Sequence, residues 1–148
     1  MGKRKMEREL KERIIKHLRF LEEEVEDYSI FKGLTWEMFN KDRNKRRNVE
    51  RWVENIISST IDIAKLILSL EGLKLGETYR EMILRLSLVE GFPREDIQEL
   101  ARWVPLRNII AHEYLDIRWS SIRRFIAESE QAYKRFISEV KAYLKGKF

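Results

Sequence analysis

Glycine and proline most constrain how this chain can fold, because they are scarce and lie in few places. The 148 residues contain six glycines and two prolines. The interruptions that they make lie at Gly33, between Gly72 and Gly76, and at 91–93. Because these two residue types interrupt regular structure most strongly, the segments between them are long enough for extended helices.

Apolar residues recur in these segments with the spacing of a helix. In the first segment they follow i, i+4, i+8, i+11 and i+15, which is one stripe of a 3.6-residue period. These residues are Leu10, Ile14, Leu18, Leu21 and Val25. The pattern predicts a first helix over 7–28. A similar stripe predicts a second helix over 43–70, ended by Gly72 in a left-handed cap.

Three further helices are predicted in the second half of the chain. The third covers 77–90, the fourth begins near Pro93 and bends at Pro105, and the fifth covers 118–144. We find no alternating pattern typical of a β-strand. The sequence therefore predicts one all-α domain over 1–148, an up-and-down bundle of four to five helices.

Composition excludes several classes of chemistry. The absence of cysteine excludes thiol nucleophiles, thiolate metal sites and disulfides, and two histidines argue against an all-imidazole metal site. We expect no metal and no cofactor. No apolar stretch approaches the roughly 20 residues that span a bilayer, and no signal peptide is recognisable. We therefore expect a cytoplasmic protein without a membrane segment.

Basic residues are concentrated in three places, and the formal net charge is +5. They lie in the N-terminal arm over 3–16, in the run over 41–47, and at 118, 123 and 124. Each cluster is consistent with a solvated helix face. Clustered lysine and arginine are also the electrostatic signature of a nucleic-acid surface, so a phosphate-binding role stays open.

The segment 107–114 carries the chemistry of the chain. Arg107, His112 and Tyr114 place a guanidinium, an imidazole and a phenol within eight residues, suited to holding a phosphodiester and moving a proton. Residues 109–111 are apolar and are expected to anchor the segment in the core. Each helical residue turns the chain by about 100°, so Arg107 and His112 face about 140° apart. Both can serve one cleft only if the helix ends near His112, or if another element or a second subunit completes the site.

This segment resembles the signature of the HepT toxins of the HEPN superfamily of small helical ribonucleases. The motif R-x4-H-x-Y is matched by Arg107, His112 and Tyr114, and Asn108 accompanies it. The similarity extends over residues 8–144. It implies a HEPN-like bundle that forms a homodimer, with the two sets of site residues facing a shared cleft.

The resemblance also implies an activity and a partner. The family consists of type II toxins that act as metal-independent endoribonucleases. In this reading Arg107 binds the scissile phosphate and His112 transfers the proton. Asn108 has a supporting role, through a local hydrogen bond to the backbone or to the substrate. A minimal nucleotidyltransferase antitoxin would transfer AMP to Tyr114 and so keep RNA away from the site.

One departure from the family and two alternatives accompany this prediction. The family often carries a glutamate where this chain has Ser58. The first alternative is a non-catalytic HEPN module that binds nucleotide or RNA, or that docks a nucleotidyltransferase. The second is a helical dimer with a purely structural role.

Overall fold

The computed structural model describes residues 2–148, and over this range the chain is helical without a β-strand, which confirms the predicted all-α class. Its α-helices are α1 (Gly2–Glu26), α2 (Tyr28–Phe31), α3 (Trp36–Lys41), α4 (Arg43–Leu70), α5 (Tyr79–Arg85), α6 (Arg94–Ala101), α7 (Leu106–His112), α8 (Leu115–Glu128) and α9 (Glu130–Lys147). A 3-10 turn over Leu86–Leu88 follows α5. None of these helices combines the length and the apolar character that a bilayer span requires.

Helix α4 lies at the centre of the bundle. It packs along α1 and also contacts α3, α5, α7 and α8, while α9 packs against α1 and α6. From Ser59 onward α4 is buried on nearly all sides. The two hydroxyls in this stretch remain paired, because Ser59 donates to the Asn55 carbonyl at 2.7 Å and Thr60 to the Ile56 carbonyl at 2.9 Å. A helix enclosed in this way provides a rigid frame for the elements around it.

The predicted glycine cap of α4 is confirmed. Gly72 has φ +67°, a conformation that is costly for residues with a Cβ. The Leu73 amide donates to the Leu68 carbonyl at 2.9 Å and the Gly72 amide to the Ser69 carbonyl at 3.1 Å, which is the Schellman pattern. The chain therefore turns away sharply from α4 toward α5.

The third and fourth predicted helices are shorter than expected. The third ends its α-helical part at Arg85 and finishes as the 3-10 turn, and the fourth is two separate helices, α6 and α7, instead of one bent helix. Pro105 explains the separation, since it has no amide hydrogen to donate to the Ala101 carbonyl. The Val104 amide donates to the Ala101 carbonyl instead, at 3.3 Å and in a 3-10 geometry.

The fifth predicted helix is also divided, into α8 and α9 at Ser129. The Ser129 hydroxyl donates to the Phe125 carbonyl at 2.6 Å and lies 2.5 Å from the buried Tyr28 hydroxyl. A side chain that bonds back to a carbonyl of the previous turn bends a helix. The Ser129 hydroxyl is buried against Tyr28, which lies 101 positions earlier in the sequence, so no local pattern indicates this contact.

Candidate functional site

Helix α7 carries the first part of the motif and ends within it. It begins after Pro105 and ends at His112, after which Glu113 is extended, with φ −90° and ψ 164°. Tyr114 then precedes α8 as its N-terminal cap residue. The helix end at His112 meets one condition under which Arg107 and His112 could serve the same cleft.

A cleft of about 550 Å³ lies beside α7, and we refer to it as the α7 cleft. Its walls come from α4, from the beginning of α5 and from α7. It is lined by Glu54, Thr78, Tyr79, Arg80, Val104, Pro105, Arg107, Asn108 and Ala111. The structure therefore brings two of the predicted site residues, Arg107 and Asn108, into one concave surface.

The other two predicted site residues lie outside the lining of this cleft in a single chain. His112 is exposed at the end of α7, and Tyr114 is 81% exposed in the connection to α8. In one chain the Arg107 guanidinium thus lies in the cleft, whereas the His112 imidazole lies outside the cleft lining and the Tyr114 phenol is exposed to solvent.

The prediction that residues 109–111 anchor the segment is wrong for the last of them. Ile110 is buried and Ile109 packs partly against the core, but Ala111 is exposed and lines the α7 cleft. Ala111 lies four residues after Arg107 and therefore shares its helix face. Its small side chain leaves room for a ligand beside the guanidinium.

The Arg107 guanidinium is half-buried and rests on an aromatic ring. Its Cζ lies 4.8 Å from the centroid of the Tyr79 ring, at the first residue of α5. Within residues 2–148, no carboxylate lies at ion-pair distance from it. An arginine without a carboxylate partner keeps its fork of N–H donors available for an anion.

Glu54 is the acidic residue of the α7 cleft, and sequence reasoning missed it. It lies on α4, one turn before Ser58. The i, i+4 spacing of Glu50, Glu54 and Ser58 was the available signal, since such residues share one helix face. This chain therefore has a carboxylate in the cleft without one at position 58.

Arg118 fixes the connection that carries Tyr114, a second role that sequence reasoning missed. Its Nε donates to the Glu113 carbonyl at 2.7 Å and its Nη1 to the Glu50 carboxylate at 3.2 Å. We call this arrangement the Arg118 brace. Burial raises the pKa of Glu50, and the neighbouring Arg118 opposes that rise. The brace ties the end of α7 and the start of α8 to the central helix.

Two further residues, an arginine of the basic run and the second histidine of the chain, have structural partners. Arg46, from the basic run over 41–47, donates to the carbonyls of Phe39 at 3.1 Å and Asn40 at 3.0 Å at the end of α3. His17 lies on α1, with its Nδ1 3.9 Å from the Asp62 carboxylate. Among the residues that the structure describes, no three histidine or acidic side chains group closely enough to hold a metal ion.

Comparison with known proteins gives one family and a set of similar structures. A crystal structure of a toxin-antitoxin with AMP-PNP has a TM-score of 0.75 at 19% identity, covering 87% of this chain and 97% of its own. A tri-AMPylated Shewanella oneidensis HEPN toxin in complex with MNT antitoxin has a TM-score of 0.74 at 19% identity, covering 87% of this chain and 96% of its own. A mutant of the toxin-antitoxin MntA-HpeT has a TM-score of 0.76 at 20% identity, covering 87% of this chain and 97% of its own.

At these identities the structures show a shared fold. A search of curated protein sequences gives no match. The sequence model described as ribonuclease HepT-like matches residues 13–140, which include α7 and most of the bundle. The chain therefore belongs to the HepT-like ribonuclease family.

Proposed function

We propose that this protein is the toxin of a toxin–antitoxin pair and that it cleaves RNA internally at the α7 cleft. The observation that carries the proposal is the state of Arg107: a guanidinium that lines a cleft, packs on a ring and has no carboxylate partner in the described part of the chain. Such a group is prepared to bind a phosphodiester. Membership of the HepT-like ribonuclease family supports RNA as the source of that phosphodiester.

In the proposed reaction the ribose 2′-oxygen attacks the adjacent phosphorus. The bond from phosphorus to the 5′-oxygen breaks, giving a 2′,3′-cyclic phosphate and a 5′-hydroxyl. His112 takes the 2′-hydroxyl proton or returns a proton to the leaving 5′-oxygen, a role worth about 10²–10⁴ in rate. Arg107 offsets the charge that develops on the phosphate oxygens. Asn108, in the same cleft, supplies a further hydrogen bond.

A second copy of the chain would complete this site. His112 stands outside the cleft lining of its own chain and is exposed at the end of α7. In a homodimer with the two α7 ends facing each other, the imidazoles of both copies would reach one shared cleft. One could then act as base and the other as acid. We therefore expect the active form to be a homodimer.

The exposed Tyr114 is the proposed site of neutralisation. A minimal nucleotidyltransferase antitoxin would join the Tyr114 phenol oxygen to the α-phosphorus of ATP, releasing pyrophosphate and the phenol proton. The 81% exposure of Tyr114 lets an enzyme reach it in the folded protein. The added phosphate would then repel RNA close to Arg107. The similar Shewanella oneidensis toxin is itself AMPylated and in complex with MNT antitoxin, which supports this partner class.

Cleavage of RNA in the presence of a chelator tests the reaction. We expect wild type to cut RNA but not DNA of the same sequence, leaving 2′,3′-cyclic phosphate ends. Arg107→Ala and His112→Ala should each lose activity by about 10²-fold or more. His17→Ala and Arg102→Ala remove the same side-chain types elsewhere and should cut like wild type. Undiminished cutting by both site variants would refute the reaction.

Mass spectrometry tests the modification of Tyr114. After incubation with the cognate nucleotidyltransferase and ATP, the peptide containing Tyr114 should gain about 329 Da for each AMP. The modified protein should lose ribonuclease activity, and Tyr114→Phe should remain unmodified and active. An adduct that persists in Tyr114→Phe would place the modification elsewhere.

The position of His112 favours one alternative, a HEPN module that binds nucleotide or RNA without cutting it. If no second copy brings an imidazole to the α7 cleft, Arg107 can bind a phosphate but no group can move the proton. This module would bind a short RNA with affinity that depends on Arg107, and the RNA would remain intact. The same cleavage assay, read beside a binding assay, separates the two functions.

A further inference from the structure

Tyr79 meets two cations on its ring and lines the α7 cleft. The Arg107 Cζ lies 4.8 Å from the ring centroid, and the Lys65 Nζ of α4 lies 5.1 Å from it. Both distances are within the range of cation–π attraction. The ring is 46% exposed, so it is not a core residue. Three elements, α4, α5 and α7, thus meet at one aromatic side chain.

The backbone that carries this ring is held in place by the start of α5. The Thr78 hydroxyl accepts from the Glu81 amide at 3.1 Å, and the Glu81 carboxylate accepts from the Glu77 amide at 3.0 Å. The first bond satisfies an amide that the first turn of the helix leaves free, and the second joins the residue before the cap to the same turn. Tyr79 is the first residue after this cap, so its main chain is fixed independently of any ligand.

A ring holds a guanidinium differently from a carboxylate. A carboxylate would occupy the N–H donors of Arg107 and neutralise its charge. An aromatic ring attracts the flat face of the guanidinium and leaves the N–H donors at the edge of the guanidinium free. Within residues 2–148 no hydrogen bond or ion pair to another side chain holds Arg107, so the ring is its one specific contact there. The side chain is therefore oriented and still able to bind an anion.

We propose that Tyr79 is the positioning residue of the site: its ring holds the Arg107 guanidinium in the α7 cleft, ready for an RNA phosphodiester. This inference rests on the proposed function, because it assumes that Arg107 binds RNA. Without the ring, Arg107 would sample several rotamers and would have to be ordered on binding. Ordering a side chain of this kind weakens binding by about 3- to 10-fold.

The test compares Tyr79→Leu with Tyr79→Phe, which keeps the ring. For each we measure kcat and KM on a short RNA, and the Kd of a DNA oligonucleotide of the same sequence, which lacks the 2′-hydroxyl. We expect Tyr79→Leu to weaken DNA binding and to lower kcat/KM by about 3- to 10-fold. Tyr79→Phe should stay within twofold of wild type. A loss in the phenylalanine variant equal to that in the leucine variant would overturn the proposal.

A double variant shows whether the ring acts through Arg107. In the Arg107→Ala background, Tyr79→Leu should weaken oligonucleotide binding no further, because its partner is already absent. An equal loss in both backgrounds would overturn the proposal and show that the ring contacts the nucleic acid directly. Arg107→Ala alone distinguishes the two levels of inference. If it cuts and binds like wild type, the proposed function fails; if it loses both while Tyr79→Leu keeps both, only the role of Tyr79 fails.

Discussion

Removing the Arg118 brace should destabilise the protein in a way that depends on pH. Arg118→Ala deletes the bond to the Glu113 carbonyl and leaves the Glu50 carboxylate unpaired, with that side chain only 13% exposed. A hydrogen bond to a charged group contributes about 1.5–3 kcal/mol. Because the Arg118 side chain is 25% exposed, we take about 1 kcal/mol, below that range, for each of the two bonds, and so about 2 kcal/mol in all at pH 7. For a domain of this size the expected loss in Tm is about 4–8 °C.

The pH dependence follows from Glu50. Burial already raises the pKa of Glu50 in the folded protein, and removing Arg118 should raise it further. A carboxyl whose folded pKa is raised stabilises the fold at low pH, and that stability is lost as the pH rises through the folded pKa. Near pH 4 the unpaired Glu50 is protonated and its burial costs little. The destabilisation by Arg118→Ala should therefore shrink to about 1 kcal/mol, the share of the Glu113 bond.

Urea denaturation followed by circular dichroism at pH 4 and pH 7 measures this difference. Arg124→Ala removes an exposed arginine of the same helix, 3.5 Å from Glu128, and should cost less than about 0.5 kcal/mol at both pH values. In a Glu50→Gln background the pH dependence of Arg118→Ala should disappear. A loss that is the same at pH 4 and pH 7, or larger at pH 4, would refute the electrostatic reasoning.

Three further predictions concern the bundle. Ser129→Ala should lower the free energy of unfolding by about 1–3 kcal/mol because it leaves the buried Tyr28 hydroxyl unpaired. Tyr28→Phe should lower it by about 1 kcal/mol. Equal losses in urea denaturation would contradict this prediction. Burial, with a neighbouring acid, raises the pKa of Glu139 to about 8. The free energy of unfolding should therefore fall between pH 5 and 8, by on the order of 1 kcal/mol after solvent screening. Glu139→Gln should remove this pH dependence in thermal melts. Gly72→Ala should cost about 1–2 kcal/mol because of its φ of +67°, and Gly33→Ala, where a Cβ meets nothing, less than about 0.5 kcal/mol.

The long helices were predictable from sequence, and the breaks between the short ones were not. Helices α1 and α4 follow their apolar stripes, because a helix that packs along one side of a core needs that period over many turns. The division lies at Ser129, whose hydroxyl bonds back to the Phe125 carbonyl and contacts Tyr28, a residue 101 positions away in the sequence. Serine is common inside helices, so its own sequence context carried no signal.

The candidate site was predictable only where it is continuous in sequence. Arg107 and Asn108 lie in one segment, and the structure places both in the α7 cleft. Glu54 and Tyr79 form the facing walls, but they come from other helices, and only tertiary packing brings them to α7. The chemical roles of all four predicted site residues stay predictions: Arg107, Asn108, His112 and Tyr114.

The walls of the α7 cleft should differ in how often they open. One wall belongs to α4, a 28-residue helix whose buried residues begin at Val49, whereas α5 and α7 have seven residues each. Helices of that length are marginal by themselves and depend on their contacts. We expect the amide hydrogens in the buried part of α4, over 49–70, to exchange with solvent only through global unfolding, and those of α5 and α7 through smaller openings. The α7 cleft would then have one rigid wall, α4, and two walls that open more often, α5 and α7. A polynucleotide would enter by displacing the two short helices, without disturbing the core.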